Sequence, residues 1–92
     1  MLKHLHAVIS GRVQMVGFRY FVLGHAERLG LSGWVRNGSD GQTVEVVAEG
    51  DEAALKELEA TLQHGPPYAV VDSVEATWSD QIEGFEGFSL RS

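Results

Sequence analysis

The strongest constraint on this chain's fold is its hydrophobic period, which switches between two and 3.6 residues in a fixed order along 92 residues. Residues 3–10 (KHLHAVIS) alternate, placing Leu5, Ala7 and Ile9 on one face of a strand. Residues 18–29 change period, with Phe18, Val22, Ala26 and Leu29 at helical spacing and Gly30 where the helix should stop. Residues 32–37 (SGWVRN) and 42–49 (QTVEVVAE) read as strands around the turn cluster GSDG, hence a hairpin. Residues 51–63 (DEAALKELEATLQ) form the clearest helix. Asp51 is its N-cap, Leu55, Leu58 and Leu62 are its apolar stripe, and Glu52–Lys56 is a favourable i,i+4 pair. Gly65-Pro66-Pro67 ends it, residues 69–78 (AVVDSVEATW) alternate again, and FSLR offers a short fifth strand.

The order is therefore β-α-β-β-α-β with a short strand appended. It predicts an α+β fold, a ferredoxin-like (split βαβ) sandwich with two helices on one face of an antiparallel sheet. No repeat, low-complexity run or linker interrupts it, so residues 1–92 are expected to form a single domain. In this topology the first two strands run the same way with the third between them. The loop after strand one and the end of strand two, Asn37, then share one end of the sheet. Two inter-strand steps of ~4.8 Å separate them, within reach of long side chains meeting over a small ligand.

Composition narrows what that ligand is. The chain carries a net charge of −6, which excludes sequence-independent binding to nucleic acid. No run approaches the ~20 apolar residues that span a bilayer, and none resembles a secretory signal. The absence of cysteine removes disulfide and thiolate chemistry and fits a cytoplasmic protein. Against this acidic background the loop G11-R-V-Q-M-V-G-F-R19 has two arginines, two glycines and no acid. It feeds a helix N-terminus, whose outward N–H groups and positive dipole end bind phosphate readily. Arg19 opposes its own helix dipole there by ~0.3–1 kcal/mol, which points either to an anionic ligand or to a solvated side chain. The loop is neither a Walker loop nor a dinucleotide fingerprint.

The other chemistry-bearing residues form no site by pattern. His4 and His6 share a strand face expected to be solvated, and His25 is expected to pack at a boundary. Asp72, Glu75, Glu83 and Glu86 lack metal-ligand spacing, so no metal and no cofactor are expected. Trp34, Trp78, Phe85 and Phe88 read as packing residues, and no catalytic triad is suggested.

Four stretches resemble the acylphosphatase family, in order and over nearly the whole chain: GRVQMVGFRYF, AERLGLSGWVRN, DGQTVEVVAEGDEAAL and GPPYAVVDSVEATW. The most specific part is G-R-V-Q-x-V-x-F-R followed by G-W-V-x-N. The resemblance implies hydrolysis of small acyl phosphates to carboxylate and inorganic phosphate, without metal or phosphoenzyme. It implies that Arg19 binds the phosphoryl group and that Asn37 positions the attacking water. It implies a phosphate cradle made by Arg12, Val13, Gln14, Met15, Val16, Gly17, Phe18 and Arg19. On this reading the protein is a monomer, its partner is the acyl phosphate, and inorganic phosphate and sulfate compete as anions. The departure is Met15, where the family has glycine. A methionine there is expected to be strained if φ is positive, and to shadow a cradle N–H if its side chain folds inward. That departure also leaves room for a second reading, a non-catalytic ferredoxin-like module that binds a small anion.

Overall fold

The computed structural model describes residues 1–92. Its strands are β1 (Leu2–Arg12), β2 (Ser32–Asn37), β3 (Thr43–Asp51), β4 (Val70–Ser79) and β5 (Phe88–Arg91), and its helices α1 (Phe18–Arg28) and α2 (Glu52–Leu62). The sheet order is β4-β1-β3-β2-β5. β3 lies between β1 and β2 and is antiparallel to both, so the C-terminal ends of β1 and β2 fall at the same end of the sheet.

Alternation along the strands sorts the two faces. Leu5, Ala7 and Ile9 of β1, Val35 of β2 and Val44, Val46 and Ala48 of β3 point toward the helices. They meet Phe18, Val22 and Ala26 of α1 and Leu55, Leu58 and Leu62 of α2 in one buried core. α1 ends at Gly30 as its sequence predicts. The Gly30 N–H donates to the Glu27 carbonyl and the Leu31 N–H to the Ala26 carbonyl, the paired bonds of a Schellman turn.

The opposite face is polar but not merely solvated, which corrects the reading of the two strand histidines. His4 Nδ1 lies 2.7 Å from Glu49 Oε2, and His6 Nε2 lies 2.6 Å from Glu45 Oε2. Trp34 is nearly buried there beneath the guanidinium groups of Arg36 and Arg91, 5.1 and 4.6 Å from its ring centre. His25 does pack at a boundary, its ring 4.6 Å from that of Phe21.

The sheet is mixed, not wholly antiparallel. β4 pairs antiparallel with β1 at one edge, but β5 runs parallel to β2 at the other. The segment between them crosses the sheet without a helix and is held by Glu49, whose oxygens accept the N–H groups of Glu83 and Gly84 at 2.7 and 3.0 Å.

Candidate active site

The cradle begins where β1 stops pairing cleanly. The β1–β4 register shifts between Ser10 and Gly11. Gly11 has φ of 132°, and a Cβ there would stand 2.2 Å from the Val70 carbonyl oxygen, so only glycine fits this bend. Residues 13–17 then turn back over the end of the sheet, and Gly17 enters α1 in the left-handed conformation (φ 81°, ψ 18°). No side chain caps α1, and its first turn holds no acid. The contrast is within the same chain: the Asp51 carboxylate caps α2, accepting the Ala53 N–H, with Glu52 in the first turn.

The charged groups show the same asymmetry. Lys3, Arg28, Arg36 and Lys56 each hold a carboxylate, on Asp80, Glu57, Glu45 and Glu52 respectively. Arg91 lies over Trp34. Arg12 and Arg19, the two arginines of the loop, pair with none of the thirteen acids.

Arg19 and Asn37 line one cavity of about 120 Å³, together with Val13, Met15, Gly17, Phe18 and Tyr20. The structure thus brings Arg19, at the end of the loop after β1, to Asn37 at the end of β2, the two places that the topology puts at one end of the sheet. Val13 and Phe18 belong to the core and form the wall, each about 1% exposed. Arg12, Gln14 and Val16 do not line the cavity. Arg12 is exposed at the end of β1, and Val16 packs against the core.

Gln14 has a different task. Its side-chain amide donates to the carbonyls of Gly38 and Thr43, both at 2.9 Å, tying the cradle loop to the turn that follows Asn37. The Gly11 N–H adds a second tie, to the Gln42 carbonyl at 3.1 Å. Met15 adopts φ of 61°, making it the one non-glycine residue with positive φ. Its side chain is fully exposed, at 101% of the reference area, so it projects into solvent and does not shadow the cradle amides.

No carboxylate, imidazole or thiol lines the cavity, so its residues offer a metal no ordinary ligand set. Three ligand-type groups do converge elsewhere: His4, Glu49 and Glu83 have donor atoms within 4.8 Å of one another. There the Glu49 oxygens already accept from His4 and from the Glu83 and Gly84 amides. Burial pushes the Glu49 carboxyl up, but these hydrogen bonds outweigh it and hold the group below the ordinary carboxylate range. The wider hollow of about 620 Å³ beside β4 is lined by Lys3–Asp80 and Lys56–Glu52, charges that already neutralise each other.

Residues 5–90 match the family model described as acylphosphatase. The chain belongs to the acylphosphatase family. An acylphosphatase of Caldivirga maquilingensis is 48% identical over 87 residues, covering 95% of this chain and 92% of that protein. One of Salinibacter ruber is 48% identical over 89 residues, 97% of this chain and 93% of that protein. The crystal structure of acylphosphatase from Bacillus subtilis superposes with a TM-score of 0.93 at 41% identity, covering the whole of both chains. The acylphosphatase reading of function is thereby supported: the chain is an acylphosphatase-like hydrolase, and the non-catalytic alternative is not favoured. No helix is long and apolar enough to cross a membrane.

Two features of the candidate site escaped the sequence: Tyr20 as a lining residue, and the brace made by Gln14, which was expected to bind phosphate in the cradle itself. Tyr20 faces the cavity from the first turn of α1, where helical spacing alone marks it as exposed. The Gln14 brace spans |i−j| of 24 and 29, a contact with no local signal.

Proposed function

We propose that residues 1–92 act as one monomeric domain that hydrolyses small acyl phosphates to carboxylate and inorganic phosphate, by direct attack of a water positioned by Asn37. The observation that carries this reading is the convergence of an unpaired Arg19, the uncapped N-terminus of α1 and Asn37 on one small cavity without a carboxylate.

Arg19 presents a planar fork to two non-bridging phosphoryl oxygens, and the loop N–H groups take the remaining charge. Asn37 ends β2 with its side-chain amide free of protein partners, an acceptor and donor able to hold a water in line with the leaving group. The water oxygen bonds to phosphorus as the bond from phosphorus to the acyl oxygen breaks, and the electron pair leaves with the carboxylate. A water proton passes to a phosphoryl oxygen. A carboxylate is a good leaving group, so the reaction needs positioning and charge stabilisation more than a strong acid or base. That demand matches a cavity lined by no titratable acid or histidine.

Inorganic phosphate and sulfate compete for the same cradle on this reading, and nucleic acid is not a partner of a chain with net charge −6. A cytoplasmic location belongs to the same reading, supported by the cysteine-free composition. The test is hydrolysis of acetyl phosphate by the purified protein in excess EDTA, with inorganic phosphate as competitor. Turnover that persists in chelator and is inhibited competitively by phosphate is the expected result. Turnover that vanishes with EDTA and returns with magnesium would overturn the mechanism.

A further inference from the structure

We propose that His4, His6 and Glu83 form a site for a divalent transition-metal ion such as zinc, on the face of the sheet away from the helices, where the ion ties the helix-free crossing between β4 and β5 to β1. The site shares no residue with the phosphate cavity and does not depend on the hydrolytic reading.

The two histidines stand at i and i+2 on β1, so they share a face with their backbones about 6.6 Å apart. A carboxylate behind each ring fixes where its proton sits. Glu49 accepts backbone N–H groups at both oxygens, from Glu83 and Gly84, which holds it ionised, so His4 Nδ1 donates to it. Glu45 is ionised against the Arg36 guanidinium, so His6 Nε2 donates in the same way. The lone pair of each neutral imidazole is then left on the other nitrogen, His4 Nε2 and His6 Nδ1, and neither has a protein partner. Carboxylates placed in this way are what fix the tautomer and orientation of metal-bound histidines.

Both rings line one polar hollow of about 440 Å³, closed on its other sides by Thr77, Ser79, Gln81 and Glu83. Thr77 and Ser79 stand opposite His6 and His4 on β4, and Gln81 and Glu83 belong to the crossing segment. The Glu83 carboxylate supplies the third ligand. One of its oxygens, a His4 ring nitrogen and a Glu49 oxygen all lie within 4.8 Å of one another. Glu49 is buried and its oxygens are taken by N–H donors, so it stands behind the site as the partner of His4. Closing on an ion takes a rotation of His6, whose side chain is 38% exposed, and of the exposed Glu83. Two imidazoles and one carboxylate, with water in the fourth position, suit zinc and disfavour magnesium or calcium, which prefer all-oxygen sets. The ion would bridge β1 to a segment held to the sheet face through the Glu49 oxygens, and would therefore stabilise the folded chain as it binds.

The test is calorimetric titration of zinc chloride into the metal-free protein, with Tm measured in zinc and in EDTA. One equivalent per chain is expected, with a Tm that rises in zinc and returns in EDTA. Glu83→Gln and His6→Gln change exposed or half-exposed side chains and keep the Glu83 N–H bond to Glu49; each should weaken zinc by at least about tenfold. His64→Gln, at an exposed histidine outside the hollow, should leave zinc affinity within about threefold. Ring nitrogen-15 NMR should place the ion on His4 Nε2 and His6 Nδ1. No uptake of zinc, or affinity undiminished in either Glu83→Gln or His6→Gln, would overturn the site. A zinc signature on the rings of His25 or His64 instead would overturn it too. The titration uses no substrate, so its failure would leave the hydrolytic reading untouched.

Discussion

Gln14 holds the two halves of the site together, and its replacement by methionine removes the brace while keeping a side chain of similar length. Two N–H···O bonds of 2.9 Å are lost. The Gly38 carbonyl loses its side-chain partner, whereas the Thr43 carbonyl keeps the Gly38 N–H at 2.8 Å. At about 1 kcal/mol net per neutral hydrogen bond, discounted for the acceptor that stays paired, the loss is about 1.5 kcal/mol. For a domain of this size that lowers Tm by about 6–12 °C in a calorimetric scan. The catalytic effect follows from position. The brace fixes the loop of Arg19 against the turn next to Asn37, and misplacement near 1 Å costs up to about 10²-fold. A fall in kcat of about 10–100-fold on acetyl phosphate is expected, with weaker change in phosphate inhibition. Gln14→Glu should be worse at neutral pH, because it turns a carboxylate toward two carbonyl oxygens, and should recover partly in acid, where the protonated group again donates. A Tm loss without a change in kcat would refute the positioning role, and an unchanged Tm would refute the brace altogether.

Three further outcomes follow from the same geometry. Arg19→Lys should retain little activity and bind phosphate more weakly, because a point charge cannot reproduce the bidentate fork; full activity would count against that geometry. Asn37→Ala should lose at least ~10²-fold in kcat while phosphate still protects the fold against heat; a rise in KM alone would make Asn37 a binding residue. The carboxyls of Glu45, held down chiefly by its hydrogen bond to His6, and of Glu49 sit below their ordinary value of 4.5 in the folded state. Their stabilisation is therefore present above that value and lost as pH falls through the folded-state values, so Tm should drop in acid below about pH 4.5. Glu49→Gln should flatten that drop, and an unaltered acid profile would exclude Glu49 as a contributor.

Local patterning wrote most of this fold into the chain. Apolar alternation placed β2 at residues 32–37 without error and β1 within two residues of each end, because the pattern records which side chains face the helices. Asp51 and Gly30 marked helix ends because their short or absent side chains solve a backbone problem on the spot. What stayed hidden depends on register between distant strands. Nothing near FSLR shows that β5 lies beside β2, since the crossing before it has no helical period to reveal a parallel connection. His4 and His6 show their shared face, but not that Glu49 and Glu45 stand opposite. That Arg19 and Asn37 line one cavity was legible, because topology places the loop after β1 and the end of β2 together and the family motif names the same two residues. Gln14 was expected in the phosphate cradle and instead braces the loop, a role hidden because its partners lie 24 and 29 residues away.

The residues that disobey local rules also lie together. α2 begins as helices ordinarily do, with Asp51 capping its first turn and itself held at 3.0 Å by the chain's N-terminal ammonium. α1 begins with a left-handed Gly17, no cap and an arginine at its positive end, just after a methionine in the left-handed conformation. A missing cap costs about 0.5–2 kcal/mol, a cation there about 0.3–1, and the methionine about 1–2. Together they approach the few kcal/mol by which a small domain is stable, yet all three fall within residues 15–19. The core beneath them shows no matching defect, with Phe18 and Val13 packed and no buried side-chain polar atom left unpaired. A bound phosphoryl group would answer the first two penalties at once, accepting the free N–H groups and neutralising Arg19. It would leave the third untouched, because the strain at Met15 lies in its own backbone. The first two penalties are the ones an anion would offset; the strain at Met15, whose side chain projects into solvent, has no structural explanation.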